Sequence, residues 1–307
     1  MKIKNIIKKF LTFTRLYQLE NGIYILPYHM VSTKKNLFFP DIDLTTFKLQ
    51  MSFLSRHFVV IPLDEINRIL EKKRCIGKYV VITFDDGFKD NYTKAYPILK
   101  KYNFPATIFV LCNSFLDQQP PWFIVIRFLF KETKKQEIKI KLNGREYLFK
   151  LSNNPLKFKA SSIVINNLKK VNLFKREELI AKLKYLLNVH DLSPIVNIIL
   201  TKEQIKEMLN DGISVGAHTL THPSLGYVNL YEAKKEILLS KEILSYELST
   251  HINAFAYPFG QRDDIRYELS EILKRGGFKC ALTSIPGKNS YKTNRYFLLR
   301  SYPLIMR

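Results

Sequence analysis

Short apolar runs and helix-spaced apolar positions alternate along the first third of this chain. The run Ile23-Tyr24-Ile25-Leu26 predicts a buried strand over residues 22–29 that ends at Tyr28-His29. Residues 44–58 put Phe47, Met51 and Leu54 on one helical face, Val59-Val60-Ile61 predicts a short strand, and residues 63–73 a helix. Tyr79-Val80-Val81-Ile82 marks a buried strand over 78–83, with Asp85-Asp86 at its C-terminal end. Residues 92–102 read as a helix and 106–111 as the next strand. Strand, helix and strand in succession imply an α/β fold, with a parallel sheet and right-handed crossovers. In such sheets and barrels the chemistry sits at the C-terminal ends of the strands. His29 and the Asp85-Asp86 pair fall at ends of that kind.

The alternation breaks at about residue 113 and resumes near 200. Between them, residues 139–151 predict a β-hairpin around Asn143-Gly144, the preferred two-residue hairpin turn, and 158–173 and 176–187 predict helices. This stretch reads as an insertion, either a lid or a substrate platform. Thr201 with Gln204 three residues on forms a capping-box signature for a helix over 202–211, followed by a strand over 213–217 that ends at His218. A helix over 231–248, a strand over 254–257 closing on Pro258-Phe259-Gly260, a helix over 269–275 and strands over 280–283 and 297–300 complete the pattern.

Residues 1–21 stand apart. Ile3, Ile6, Ile7, Phe10, Leu11 and Tyr17 fall mostly on one helical face, with Lys2, Lys4, Lys8 and Lys9 elsewhere. Such a basic amphipathic helix either docks on the domain or lies on an anionic membrane. It is too short and polar to span a bilayer. Arg15 and Glu20 interrupt any apolar run, and no small-residue cleavage site follows. The expectation is therefore a cytoplasmic protein, with peripheral contact at the inner face of the membrane as the extension of that reading.

Composition adds a bias rather than a class. Of 307 residues 46% are hydrophobic, enough for one large domain carrying an insertion over residues 22–307. The balance of 49 Lys+Arg against 27 Asp+Glu gives +22, which favours nucleic acid, acidic lipid or acidic glycan as partners. Abundant Lys, Ile and Asn also suit an AT-rich coding sequence. The basic residues are dispersed and form no nucleic-acid motif, so no nucleic-acid partner is expected. Cys75, Cys112 and Cys280 are odd in number and far apart, which argues against a disulfide framework and a zinc–cysteine site.

The chemistry concentrates in two stretches far apart in sequence: Thr83-Phe84-Asp85-Asp86-Gly87 and His218-Thr219-Leu220-Thr221-His222. Two histidines spaced i, i+4 can close on one metal ion. Two adjacent carboxylates can divide the work, one ligating and one acting as a base. An Asp with two His leaves positions open on a divalent ion, as a catalytic site needs.

These motifs resemble the TFDDG and H-[ST]-x-x-H motifs of the polysaccharide deacetylase family, the NodB-homology group of carbohydrate esterase family four. The resemblance covers roughly residues 22–112 and 200–302. It implies a distorted (β/α)7-type barrel and hydrolysis of an N-acetyl group from an amino sugar in a polysaccharide or lipid-linked glycan. Carried over, Asp85 is the general base on metal-bound water, and Asp86, His218 and His222 hold a divalent metal, with zinc expected. Tyr257, Pro258 and Phe259 match the third motif, which lines the groove and offers a backbone N–H, here from Phe259, to the oxyanion.

Two departures follow. Where many members carry an Arg before the third-motif Pro, this chain has Ala256; Arg300 either supplies that charge or makes a surface salt bridge. No His follows His251 to serve as the usual general acid. Tyr28-His29 instead resembles the pair that precedes TFDDG in deacetylases of poly-N-acetylglucosamine, so His29 is either the acid or a core or turn histidine. Trp122 and Phe123 either stack on a sugar or anchor the insertion. Asp263 and Asp264 either reach the groove or, as is commoner for such a pair, sit in solvated loop, and His57, His190 and His251 read as surface or structural. The alternatives kept open are a metal-dependent amidase or esterase on a non-sugar acyl group and an inactive carbohydrate-binding relative.

Overall fold

The computed structural model describes residues 20–34, 36–71 and 76–301. The basic amphipathic segment and Cys75 lie outside the described residues, and so does any membrane contact of that segment. Among the described residues no helix is long and apolar enough to cross a membrane.

In chain order the first elements are β1 (Gly22–Tyr28), β2 (Met30–Ser32), β3 (Asp41–Asp43), α1 (Leu44–His57), β4 (Val59–Val60), α2 (Glu65–Glu71) and β5 (Lys78–Phe84). A widened helical turn, Asn91–Ala95, leads into α3 (Tyr96–Lys101), and β6 (Ala106–Val110) follows. The insertion holds α4 (Cys112–Asp117), α5 (Trp122–Glu132), β7 (Glu137–Leu142), β8 (Arg145–Lys150), α6 (Asn154–Leu168) and α7 (Leu173–Leu187). Then come α8 (Lys202–Asn210), β9 (Ile213–Ala217), α9 (Leu230–Leu248), β10 (Ala254–Ala256), α10 (Leu269–Arg275), β11 (Cys280–Pro286) and β12 (Leu298–Arg300).

Seven strands pair side by side in the order β1-β5-β6-β9-β10-β11-β12, with β4 added beside β5. All the ladders of this sheet are parallel. The two ends of the row approach each other: Ser301 N–H, just past β12, donates to Ile25 O of β1 at 2.7 Å. The result is a nearly closed parallel barrel. Side chains alternate between its two faces. Ile23, Ile25, Val81, Phe109, Leu282 and Leu298 meet in one buried cluster drawn from strands all round the sheet, so they fill the interior. Ile66, Ile69 and Leu70 of α2 join them, and Asn67 of α2 donates to Lys279 O just before β11, placing α2 across the N-terminal ends of the strands. Tyr24, Leu26, Val80, Ile82 and Ile108 face outward into a larger cluster shared with the surrounding helices.

Most predicted elements occur within a few residues of their expected bounds. The Thr201–Gln204 capping box forms with both of its hydrogen bonds. Asn143 and Gly144 both take positive φ, 47° and 84°, as the two-residue hairpin turn requires. Helix α5 is the principal addition. Its sequence Trp-Phe-Ile-Val-Ile-Arg-Phe-Leu-Phe-Lys-Glu is apolar but for Arg127 and the last two residues, and seven of its residues are buried. Short of its last residue, only a narrow stripe through Phe123, Arg127 and Lys131 is less buried. α6 and α7 begin earlier than expected because Asn153 and Asn172 accept hydrogen bonds from the N–H groups of Leu156 and Lys175, as N-caps. The return from the insertion is stitched to the first motif: Leu200 N–H donates to Gly87 O at 2.9 Å and Lys89 N–H to Ile198 O at 2.7 Å.

Gly216 in β9 sits where a Cβ would lie 2.4 Å from the Phe109 ring and 2.9 Å from Ala254 O. The Phe109 ring is locked in the barrel interior and cannot give way. Gly216→Ala is therefore expected to destabilise the protein by about 1–3 kcal/mol through overpacking, read as a lower denaturant midpoint with unchanged m. An unchanged midpoint would contradict this packing.

Candidate active site and metal centre

Every sequence-predicted catalytic and metal residue lies at the C-terminal rim of the barrel, each placed by the strand it follows. Asp85 N–H donates to Tyr28 O at 2.9 Å, carrying the β1–β5 ladder one step past Phe84. Asp86 and Gly87 both have φ 71°, so the backbone turns sharply there and the adjacent carboxylates take different surroundings. A non-glycine residue in this region is uncommon and is held there by its surroundings. His218 N–H likewise donates to Val110 O at 3.0 Å, extending the β6–β9 ladder.

The His218–His222 turn is braced from three directions. Thr219, at φ 67°, accepts a hydrogen bond on its hydroxyl from His222 N–H at 3.1 Å. Glu236 of α9 accepts from the N–H groups of Leu220 and Thr221 at 2.7 and 2.9 Å, and from the Thr221 hydroxyl at 2.6 Å. Trp122 Nε1 donates to His222 O at 3.2 Å, and Arg176 of α7 donates to Thr221 O at 3.0 Å while its guanidinium lies 5.0 Å from the Trp122 ring. Sequence reasoning missed Glu236 and Arg176. Each sits on a helix in an ordinary charged context, and only the tertiary fold brings it to the loop.

Asp86, His218 and His222 come together as candidate ligands. Asp86 Oδ1 lies 3.5 Å from His218 Nε2 and 3.5 Å from His222 Nε2, and one ligand atom from each residue lies within 4.8 Å of the others. Metal–ligand bonds of about 2.0–2.1 Å on a tetrahedral ion set neighbouring ligand atoms roughly 3.3 Å apart, close to the spacing found. Asp86 Oδ1 is buried and has no hydrogen-bond partner among the described residues, an arrangement costly unless a cation occupies the gap. His218 Nδ1 lies 2.8 Å from Ala256 O; donating there leaves Nε2 as a lone pair aimed at the ligand set. Burial, helped by the Asp85 charge, pushes the Asp86 carboxyl well above its usual range. Burial pulls His218 down to about 4 and His222 well below its ordinary value. Neutral imidazoles are what a metal needs, and a divalent charge reverses the penalty on the carboxylate. The donor set therefore fits a divalent ion.

Asp85 belongs to a different network. Arg300 Nη2 donates to Asp85 Oδ1 at 2.9 Å, and Arg300 Nη1 donates to Oδ2, a two-pronged pair with both side chains buried. Of the two roles expected for Arg300, the surface salt bridge is thus replaced by a buried clamp on Asp85. The clamp arises because β12 completes the barrel and brings its last residue across from β5. Burial raises the Asp85 carboxyl, but the charge and hydrogen bonds of Arg300, together with His218 and His29, outweigh it and hold Asp85 at about 2. His29 Nε2 stands 3.9 Å from Asp85 Oδ2, with 38% of its side chain exposed, so it is neither core nor free surface. Burial pulls His29 below its ordinary value, Asp85 opposes that and Arg300 adds to it.

These groups line a cavity of about 440 Å³ together with Tyr257, Phe259 and Phe123. Phe259 packs edge-on to His222 at 4.8 Å, and Phe123 lies 4.6 Å from the same ring. Phe259 has φ 59°, and its N–H has no acceptor among the described residues. Tyr257 is buried, its hydroxyl donating to Tyr296 O at 3.0 Å, and Pro258 accepts the Gly260 N–H that completes the turn. Two expectations are corrected. Trp122 is buried behind the His222 loop and does not line this cavity, so the anchoring role is the observed one and Phe123 presents the aromatic face. Asp264 is not solvated: it is fully buried and accepts from Lys169 Nζ at 2.6 Å and the Ser224 hydroxyl at 2.7 Å, while Asp263 is exposed. His57, His190 and His251 are exposed.

Comparison with known proteins places this barrel and rim in a family. The family model described as polysaccharide deacetylase matches residues 72–146 and 157–280, well over half of the chain. The chain belongs to the polysaccharide deacetylase family, and is thereby a hydrolase of the polysaccharide N-deacetylase class. It is similar to YxkH of Bacillus subtilis (strain 168), 24% identical over 278 residues that span 90% of this chain and 69% of that protein. A stretch of 68 residues, 22% of this chain and 24% of the relative, is 38% identical to the poly-beta-1,6-N-acetyl-D-glucosamine N-deacetylase of Staphylococcus epidermidis. Among solved structures, the Streptococcus pyogenes deacetylase PplD in complex with acetate shares the fold, with a TM-score of 0.60 and 21% identity over 91% of each chain.

Added zinc is expected to stabilise chelator-treated protein by about 2.7 kcal/mol at a hundredfold excess over Kd, read as a rise in melting temperature. Asp86→Ala and His218→Ala should each abolish the rise. Apparent affinity should strengthen as pH rises, because the raised pKa of Asp86 means a proton must leave before the ion can enter, whereas His218, at about 4, competes only near that pH. Thermal scans across a zinc and pH series measure both, and a melting temperature indifferent to zinc would remove the site.

Proposed function

We propose that the protein hydrolyses the N-acetyl group of an amino sugar carried by a polysaccharide or a lipid-linked glycan. In this reading Asp86, His218 and His222 hold a divalent ion, zinc being the one their donor set suits. When bound, such an ion polarises the acetyl carbonyl and acidifies water. The supporting observation is the division of labour between neighbouring carboxylates. Asp86 faces the histidines with an unpartnered oxygen, while Asp85 faces Arg300 and the cavity. Asp85, kept ionised by Arg300, accepts the proton that water gives up as it attacks the acetyl carbon. The Phe259 N–H, with no acceptor among the described residues, is available to the developing oxyanion. His29, on the same side of the cavity as Asp85, donates a proton to the leaving amine, so the products are acetate and a free amino sugar. Tyr257 and Pro258 shape the turn that presents Phe259.

Acetate release from N-acetylglucosamine oligomers is the direct test. Asp85→Asn should lower kcat by at least about a hundredfold while the zinc-induced rise in melting temperature persists. Full activity in Asp85→Asn would remove it as the base. No release from any acetylated sugar, with zinc still bound, would move the reading to a non-sugar acyl group.

His29 gives a pH test. A general acid must start protonated, and burial lowers the pKa of His29 from its ordinary value, so kcat/KM should fall as pH rises, with the limb displaced to the acid side of an ordinary histidine. His29→Ala should lose that alkaline limb along with about a hundredfold in kcat. A limb that survives the substitution belongs to another group.

A further inference from the structure

The charges lining the active-site cavity do not cancel. Of its two carboxylates, Asp85 is paired with Arg300 and Asp86 faces the neutral histidines as a candidate metal ligand, so neither pairs with the remaining cation of the lining. Arg127 of α5 lines the same cavity and has no carboxylate partner within ion-pair distance among the described residues. Its Nη1 donates only to neutral oxygens: Phe158 O at 3.0 Å, Ser161 Oγ at 2.6 Å and Ser162 Oγ at 2.8 Å. The guanidinium lies 4.2 Å from the centre of the Phe158 ring. Burial lowers its pKa to about 10, so it stays charged throughout the working range.

The surroundings are shaped as a pocket wall. Ser162 and Asn166, one helical turn apart on α6, line the cavity next to Arg127. Phe38, from the loop between β2 and β3, meets Phe158 edge-on at 6.1 Å, so a barrel loop and the insertion join beside the guanidinium. A half-desolvated arginine paired only with neutral oxygens gains most from an oxyanion, and its planar fork suits phosphate and carboxylate alike.

We propose that Arg127, with Ser162 and Asn166, forms a subsite for an anionic group, a phosphate or a carboxylate, carried by the acetylated substrate next to the sugar that reacts. The proposal rests on the deacetylase reading above and deepens it. All three residues come from the insertion, so the insertion selects the charged substrate while the barrel rim performs the hydrolysis. A purely structural Arg127, tying α5 to α6, would affect neutral and charged substrates alike.

The test compares kcat/KM for acetate release by the zinc-loaded full chain on three substrates. These are a neutral N-acetylglucosamine oligomer, an N-acetylglucosaminyl alkyl phosphodiester, and an oligomer alternating N-acetylhexosamine with hexuronate. Wild type should prefer one anionic substrate over the neutral one. In Arg127→Gln the anionic-to-neutral ratio should drop about tenfold or more, through KM, and Arg127→Lys should recover part of it. Preference for the phosphodiester identifies a lipid-carrier-like substrate, and preference for the uronate an acidic polymer. A ratio that Arg127→Gln leaves unmoved overturns the subsite. Calorimetry of Asp85→Asn protein with N-acetylglucosamine 1-phosphate against N-acetylglucosamine separates the two readings. Phosphate-selective binding lost in Arg127→Gln, without acetate release by wild type, would sustain the subsite and sink the deacetylase. Acetate release without anion preference would do the reverse.

Discussion

The buried pair between Arg300 and Asp85 is the constraint on which the site depends. A buried guanidinium and a buried carboxylate are each costly alone, and removing one partner leaves an uncompensated charge worth about 3–5 kcal/mol. The pair therefore locks the end of β12 to the end of β5 across the barrel mouth. It can form only if the sheet curls far enough for β12 to approach β1, as the Ser301–Ile25 hydrogen bond records. Barrel closure and the placing of an ionised Asp85 at the cavity are in this sense one event. Position 256, two residues before Pro258, is Ala256, and the guanidinium that meets Asp85 comes from the last strand instead.

Around that pair the rim is built from backbone in uncommon conformations. Asp86, Thr219, His222 and Phe259 all have positive φ between 57° and 71°. Such conformations persist where surrounding contacts over-determine them. Glu236, Thr219, Trp122 and Arg176 supply those contacts for the histidine turn, and the return of the insertion at Leu200 supplies them for Gly87. His218 and His222 are thus held by three layers: the β9 strand, the α9 carboxylate and the insertion. The insertion is structurally part of the candidate metal centre as well as a wall of the cavity, since Trp122 and Arg176 brace the His218–His222 turn while Phe123 and Arg127 face the cavity.

Much of this was legible in the sequence because it is local. Buried parallel strands are uniform apolar runs, and the runs at Ile23–Leu26 and Tyr79–Ile82 identify β1 and β5 directly. The members of the hairpin signal at Asn143-Gly144, and those of the capping signal at Thr201–Gln204, lie within a few residues of each other in the chain. Asp85, Asp86, His218 and His222 stood out because residues of scarce type recur at fixed short spacings next to strand ends. α5 was not legible, since a short, mostly apolar run fits a helix and an apolar loop anchor alike.

The sequence by itself determined the α/β alternation, the placement of the reactive residues at strand ends and the identity of the metal-ligand candidates. These follow from side-chain periodicity and from motifs whose members are near neighbours in the chain. Only the tertiary structure decided that Arg300 clamps Asp85 rather than a surface partner, that Trp122 braces a loop while Phe123 faces the cavity, and that Arg127 has no counter-ion among the described residues. Each of those facts concerns residues tens to hundreds of positions apart, or which way one side of a helix turns. Sequence spacing carries no information on either until the barrel closes and the insertion packs against it.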